Sequence, residues 1–238
     1  MGARRGRRHR DGGGMTPTAT AVETARPMIV GIAGGSGSGK TSLVRALAAN
    51  LGDTQVSLLS HDAYYRDRSA VPMTVRATLD YDVPEAFDQD LFLAHLAALR
   101  EGVTIRAPRY CFETHCRLGE GDEVGARPVV LVDGILLLWD PAVRAAFDLS
   151  IFLDVPERMR LERRLARDVG ERGRSTASVL RQFDATVRPA HATYVQPTQP
   201  LADVVLGNVG RLEPLAEIAS ALVLDRLARR ARARAGAA

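Results

Sequence analysis

Apolar residues along this chain follow two rhythms. Met28–Ala33 (MIVGIA), Val129–Val132 (VVLV) and Ser150–Leu153 (SIFL) are short, nearly unbroken apolar runs, the pattern of strands buried on both faces of a parallel sheet. Val56–Ser60 (VSLLS) and Asp203–Leu206 (DVVL) are lesser versions, and Val103–Ala107 (VTIRA) alternates as a strand does. Between these runs the period changes. Leu43, Leu47 and Leu51 recur after Thr41; Leu91, His95 and Leu99 recur within Phe87–Leu99; Leu215, Ile218, Leu222 and Leu227 mark the C-terminal segment. These spacings predict helices, and Glu157–Asp168 reads as one more, rich in arginine. Strands alternating with helices predict an α/β fold of three layers, α/β/α, around a parallel sheet. No internal repeat interrupts it.

The 238 residues suffice for one such domain, expected over 27–227, with a disordered basic extension over 1–26 and a disordered tail over 228–238. No apolar run nears the roughly 20 residues of a membrane span. The opening Met1–Gly14 is basic but lacks the apolar stretch of a secretory signal, so a cytoplasmic protein is expected. Its five arginines against one aspartate equal the whole formal charge of +4. The body is therefore neutral, and nucleic acid is not an expected partner. Cys111 and Cys116 flank His115 but offer too few ligands for a usual metal site, so free thiols are expected.

One count changes the picture: of 32 basic residues only Lys40 is lysine. A compact ammonium can enter a tight loop as a point charge where a planar guanidinium cannot. The loop in question is Gly34-Gly35-Ser36-Gly37-Ser38-Gly39-Lys40-Thr41, with Ser42 following. It fits G-x-x-x-x-G-K-[ST], follows a predicted strand and opens a predicted helix, the context a P-loop needs. Its backbone N–H groups and helix N-terminus would cradle ATP phosphates, Lys40 would reach the β- and γ-phosphates, and Thr41 would be a ligand of Mg²⁺. A flexible Gly/Ser linker would predict neither the strand nor the helix. A P-loop NTPase fold follows.

In open α/β sheets ligands sit at the carboxyl ends of strands. Asp62 and Asp133 both fall there: Asp133 is a candidate holder of Mg²⁺, and Asp62 a candidate base for an acceptor hydroxyl. A cap or turn carboxylate is the alternative for each. The stretch Arg167-Asp168-Val169-Gly170-Glu171-Arg172-Gly173-Arg174 leaves its helix through glycines and carries three guanidiniums. An Arg-rich lid over the nucleotide is expected there, with Arg167, Arg172 and Arg174 on its phosphates.

With these pieces in order, Ile29 to Leu206 resembles the uridine kinase (uridine/cytidine kinase) family of P-loop kinases. Ser60-His61-Asp62-Ala63-Tyr64-Tyr65 is similar to S-x-D-x-[FY]-Y, which implies Asp62 as catalytic base beside Lys40. Leu79 through Asp88 is similar to N-[FY]-D-H-P-[DE]-A-F-D, which implies that Asp82 binds ribose hydroxyls. Pro108 through Arg117 resembles P-x-Y-D-[FY]-x-x-H-x-R, implying a small β-hairpin insertion that presents Tyr110, Phe112 and His115 to a pyrimidine base. Arg164 through Arg174 with Gln182 resembles R-x-x-R-D-x-x-x-R-G-R and a downstream Gln, implying Arg164 and Gln182 near the nucleoside. Three positions depart from the family pattern: Asp133 stands for Glu, Cys111 for Asp and Val83 for His. The resemblance implies phosphorylation of the 5′-hydroxyl of uridine or cytidine by Mg²⁺ and ATP or another NTP, within a homo-oligomer. Two alternatives stay open: a related kinase for another hydroxyl, such as a phosphoribulose- or pantothenate-like acceptor, and a catalytically silent nucleotide-binding regulator.

Overall fold

A computed structural model describes residues 26–236; the expected N-terminal extension lies almost entirely outside the described residues. Among the described residues, seven strands form two sheets. β1 (Met28–Gly34), β2 (Val56–Ser60), β5 (Val129–Gly134), β6 (Leu149–Asp154) and β7 (Val204–Gly207) make a parallel sheet in the order β2-β5-β1-β6-β7. β3 (Ile105–Cys111) and β4 (Cys116–Val124) form a separate antiparallel hairpin. The helices are α1 (Lys40–Leu51), α2 (Met73–Arg76), α3 (Gln89–Arg100), α4 (Pro141–Ala145), α5 (Glu157–Gly170), α6 (Thr176–Gln182), α7 (Arg188–Ala190) and α8 (Leu212–Ala235).

Alternation along β1 divides the core. Met28, Val30 and Ile32 pack with Leu43 and Leu47 of α1 and with Leu215, Ala219 and Val223 of α8. Ile29 and Ala33 face the other layer, with Phe92, Leu96 and Leu99 of α3, Tyr64 and Phe87. The sheet is thus buried on both faces, as the unbroken apolar runs require, and the three-layer expectation holds.

The order β2-β5-β1-β6-β7 puts β1 at the centre, with β2 beyond one neighbour and β7 beyond the other. Loops leaving neighbouring strands in opposite directions open a crevice at the carboxyl ends, where ligands bind in such sheets. Register then sets the furniture of that crevice: Asp133 lies level with Ile32 of β1 and Ser60 of β2. It therefore sits beside both the loop after β1 and the 3₁₀ turn His61–Tyr64 that carries Asp62.

Three details differ from the sequence reading. α8 runs on to Ala235, past the expected domain end at Leu227, because its last turns are built from alanine and arginine, both strong helix formers. Arg230 on that extension pairs with Asp148 at 3.4 Å. Helical structure also fills 176–195, where α6 and α7 are joined and followed by π-helical turns, Phe183–Val187 and His191–Val195. The wider turns flank Pro189, whose missing N–H and ring disfavour a regular α-helical register. The strand expected over 103–107 begins at Ile105 and continues to Cys111.

Candidate active site

The P-loop is built by backbone conformation. Gly37 (φ +80°) and Gly39 (φ +90°) occupy the left-handed region that disfavours other residues, and a Cβ at 37 would overlap the carbonyl oxygen of Arg160. Gly39 is the N-cap of α1, and Ser38 N–H donates to the Gly35 carbonyl at 3.1 Å. The Ser38 carbonyl accepts from Asn208 Nδ2 at 2.7 Å and Arg163 Nη1 at 3.4 Å. Lys40 is buried and its ammonium donates to the Gly35 carbonyl at 2.9 Å. Burial pulls its pKa down to about 8, against the attraction of Asp62 and Asp133.

Thr41 Oγ1 donates to Asp133 Oδ2 at 2.6 Å, joining the two residues expected to hold a metal. Burial and the neighbouring Asp62 carboxylate raise the Asp133 pKa, and the Thr41 hydrogen bond opposes them. A hydroxyl and a carboxylate in contact at a P-loop are hard oxygen donors, a set that suits Mg²⁺. Ser42 follows Thr41 on the first turn of α1, and its side chain is exposed.

Beside the P-loop opens a cleft. Ser36 of the P-loop and Asp62 line it together with Tyr65, Tyr81, Asp82, Tyr110, Phe112 and His115, and Arg164, Arg167, Arg172, Arg174 and Gln182 line it from α5, the following loop and α6. Asp62 Oδ1 is buried and accepts no hydrogen bond. Behind it His61 is fully buried, stacked on Phe87 at 4.1 Å and hydrogen-bonded through Nε2 to Gln89 at 3.1 Å. Burial drives the His61 pKa down to about 4, so the ring is a neutral brace under the turn.

The aromatic side is a connected stack. His115, at φ +54° in the hairpin turn, lies face to face with Tyr81 at 4.7 Å, and Tyr110 packs against Tyr65 and Phe112. Burial, with Arg174 and Arg76 nearby, lowers the His115 pKa. The hairpin is pinned by Arg117, which donates from Nε to the Tyr65 carbonyl at 2.8 Å and pairs with Asp88 at 3.0 Å. Burial lifts the Asp82 pKa to about 6, opposed first by Arg164. Arg164 bridges Ser36 Oγ at 2.8 Å and Gln182 Oε1 at 2.9 Å, and Arg174 reaches the same Gln182 oxygen at 2.7 Å. Both cysteines are free thiols, paired in register across the hairpin as Cys111 and Cys116.

The residues expected from sequence thus converge on one strand-end region. Sequence reasoning missed the neighbours that support them: Arg163 and Asn208 on the P-loop carbonyl, Tyr65 and Tyr81 in the aromatic wall, and Asp168 beneath the arginines. Tyr65, Tyr81 and Asp168 each carried a signal, as members of the motifs quoted above to which no role was given; Arg163 and Asn208 carried none. Among the described residues no helix is long and apolar enough to cross a membrane.

The profile of the Phosphoribulokinase / Uridine kinase family matches residues 29–213. A uridine kinase of Chloroflexus aurantiacus is 43% identical over 185 residues, covering 78% of this chain and 88% of that protein. One from Deinococcus deserti is 41% identical over 198 residues, 83% and 96% of the two chains. Two solved structures share the fold: a possible uridine kinase from Bacillus stearothermophilus (TM-score 0.55, 20% identity, covering 78% and 91%) and phosphoribulokinase from Rhodobacter spheroides (TM-score 0.57, 14%, covering 77% and 71%). Sheet, P-loop and sequence agree, and the chain belongs to the phosphoribulokinase / uridine kinase family of P-loop kinases and is a phosphotransferase.

Proposed function

We propose that this kinase transfers the γ-phosphate of ATP to the 5′-hydroxyl of uridine or cytidine, giving the nucleoside monophosphate. The observation that carries the reading is the unpartnered, buried Asp62 oxygen in a cleft that joins the P-loop to an aromatic wall. A carboxylate with a free lone pair can take the acceptor hydroxyl's proton as the oxygen attacks. The wall of Tyr65, Tyr81, Tyr110, Phe112 and His115 suits a flat heterocycle better than an open-chain acceptor. Neutral His115 and the Tyr110 hydroxyl offer hydrogen bonds to the base edge. Asp82 serves the ribose hydroxyls, with Arg164 and Gln182 closing that side.

On the donor side, backbone N–H groups of Gly34–Thr41 hold the phosphates and Lys40 moves from the Gly35 carbonyl to phosphate oxygens. Thr41 and Asp133 are the residues that would hold Mg²⁺, which supplies Lewis-acid neutralisation of the phosphate oxygens when bound. Arg167, Arg172 and Arg174 balance charge developing on the transferred group. A coupled ADP-release assay with Mg·ATP and uridine, cytidine, adenosine, ribulose 5-phosphate or pantothenate tests the proposal, with Asp62→Asn as control. Turnover on uridine or cytidine that is lost in the control is the expected result. Turnover confined to another acceptor would remove the pyrimidine assignment, and ATP binding without turnover would indicate a regulator.

A further inference from the structure

The mechanism above gives Asp168 no task, yet the arginines of the cleft converge on it. Its side chain, near the end of α5, has no solvent exposure. Arg167 Nε lies 2.8 Å from its carboxylate, Arg164 Nε and Arg172 Nη1 each 3.4 Å, and Arg174 Nη1 3.5 Å. Only the Arg167 contact has hydrogen-bond geometry, and Asp168 Oδ2 and Arg164 Nε are buried without hydrogen-bond partners. The cluster is held by charge rather than by a saturated network.

Within the cluster itself four guanidiniums meet one carboxylate, a local surplus of three positive charges, with Asp62 and Asp82 the other carboxylates lining the cleft. Like charges gathered in a partly desolvated site repel strongly unless a counter-charge lies among them. Arg172 and Arg174 already have lowered pKa values, through burial first and neighbouring arginines second, with Asp168 opposing the shift. The single carboxylate leaves most of the guanidinium N–H groups uncommitted, and Arg172 spends its face on the Phe112 ring at 4.2 Å. A polyphosphate is the ligand that would complete both the charge balance and the hydrogen bonds.

We propose that Asp168 is a positioning residue, a buried counter-charge that gathers Arg164, Arg167, Arg172 and Arg174 into one phosphate-facing cluster before nucleotide arrives. The proposal rests on reading the cleft as a kinase site. Its signature is a split between turnover and affinity. Removing the carboxylate raises the surplus charge from three to four, so attraction for a polyanion persists while the placement of the arginines is lost.

Asp168→Asn keeps the shape and removes the charge. Its kcat should fall about tenfold or more, while the affinity for Mg·ATP and for tripolyphosphate changes less than about threefold. Amide hydrogen exchange over 169–178 should quicken without nucleotide, while the β1, β5 and β6 amides stay protected. Asp168→Glu should recover part of the lost kcat. Turnover within about twofold of the parent, turnover and affinity lost together, or unchanged exchange over 169–178 would each overturn the proposal. If the Asn variant does not fold, Asp168→Glu is compared with the parent alone: lower kcat at unchanged tripolyphosphate affinity supports the role, and unchanged kcat refutes it. If the parent turns over no nucleoside, the function proposed above fails, and the exchange and tripolyphosphate measurements still decide the role of Asp168.

Discussion

Lys40 is the only lysine among 32 basic side chains, and its surroundings explain the choice. The ammonium lies buried inside the loop, against the Gly35 carbonyl, a place that suits a compact point charge better than a planar guanidinium. Because burial holds its pKa near 8, raising the pH above that value removes its charge in the free enzyme. The ATP profile of kcat/KM should therefore fall above about pH 8, since that ratio reports free-enzyme ionisations; a profile flat to pH 9.5 would contradict this. Asp82 has the opposite sign. With its pKa lifted to about 6, it becomes protonated below that pH, and the nucleoside KM should rise there while kcat changes less. Replacing Asp62 with Asn should lower kcat on the order of 10²–10⁴-fold, with ATP affinity nearly unchanged in calorimetry.

At the scale of elements, the P-loop depends on glycines and the hairpin on its ties to the body. Gly37→Ala forces a Cβ into a positive-φ site, at about 1–2 kcal/mol, and against the Arg160 carbonyl. The loop must shift, and ATP affinity should fall about tenfold or more, measurable by calorimetry. Arg117 is one of the hairpin's ties to the body, with contacts to the Tyr64 and Tyr65 carbonyls and to Asp88, beside Arg76 on the Thr114 carbonyl and the ring contacts of Tyr110 and His115. Arg117→Ala should raise the nucleoside KM more than the ATP KM, because that tie lies at the hairpin that carries the base wall and not at the P-loop. Equal changes in both constants would show that the hairpin does not carry the base site.

Across the whole molecule, Asp148 ties distant segments together. Its Oδ2 accepts from Ile29 N–H at the start of the central strand at 2.8 Å and meets Arg100 of α3 at 3.3 Å and Arg230 of α8 at 3.4 Å. Asp148→Ala leaves a partly buried donor and two cations without their acceptor, a loss of about 1–3 kcal/mol. A melting temperature lower by several degrees is expected, with kcat near the parent's. Truncation after Leu227 removes Arg230 alone from this group and should cost no more than about 1 kcal/mol, again without loss of kcat.

The strands, α1, the P-loop and the candidate acids were legible in the sequence because their signals are local: a burial pattern set by period, a loop that only glycine can trace, a lysine where arginine rules elsewhere. The segment 176–195 was not, since its π-helical turns arise from packing around Pro189 rather than from a repeating apolar spacing. Nor did any spacing show that Thr41 and Asp133 touch, that Asn208 and Arg163 hold the Ser38 carbonyl, or that four arginines share Asp168. Those contacts join residues far apart in the chain or on successive turns whose side chains could point elsewhere. The sequence by itself determined which elements form and which chemistry each strand end carries; sheet order and register, which depend on long-range pairing, decided that those ends meet in one cleft.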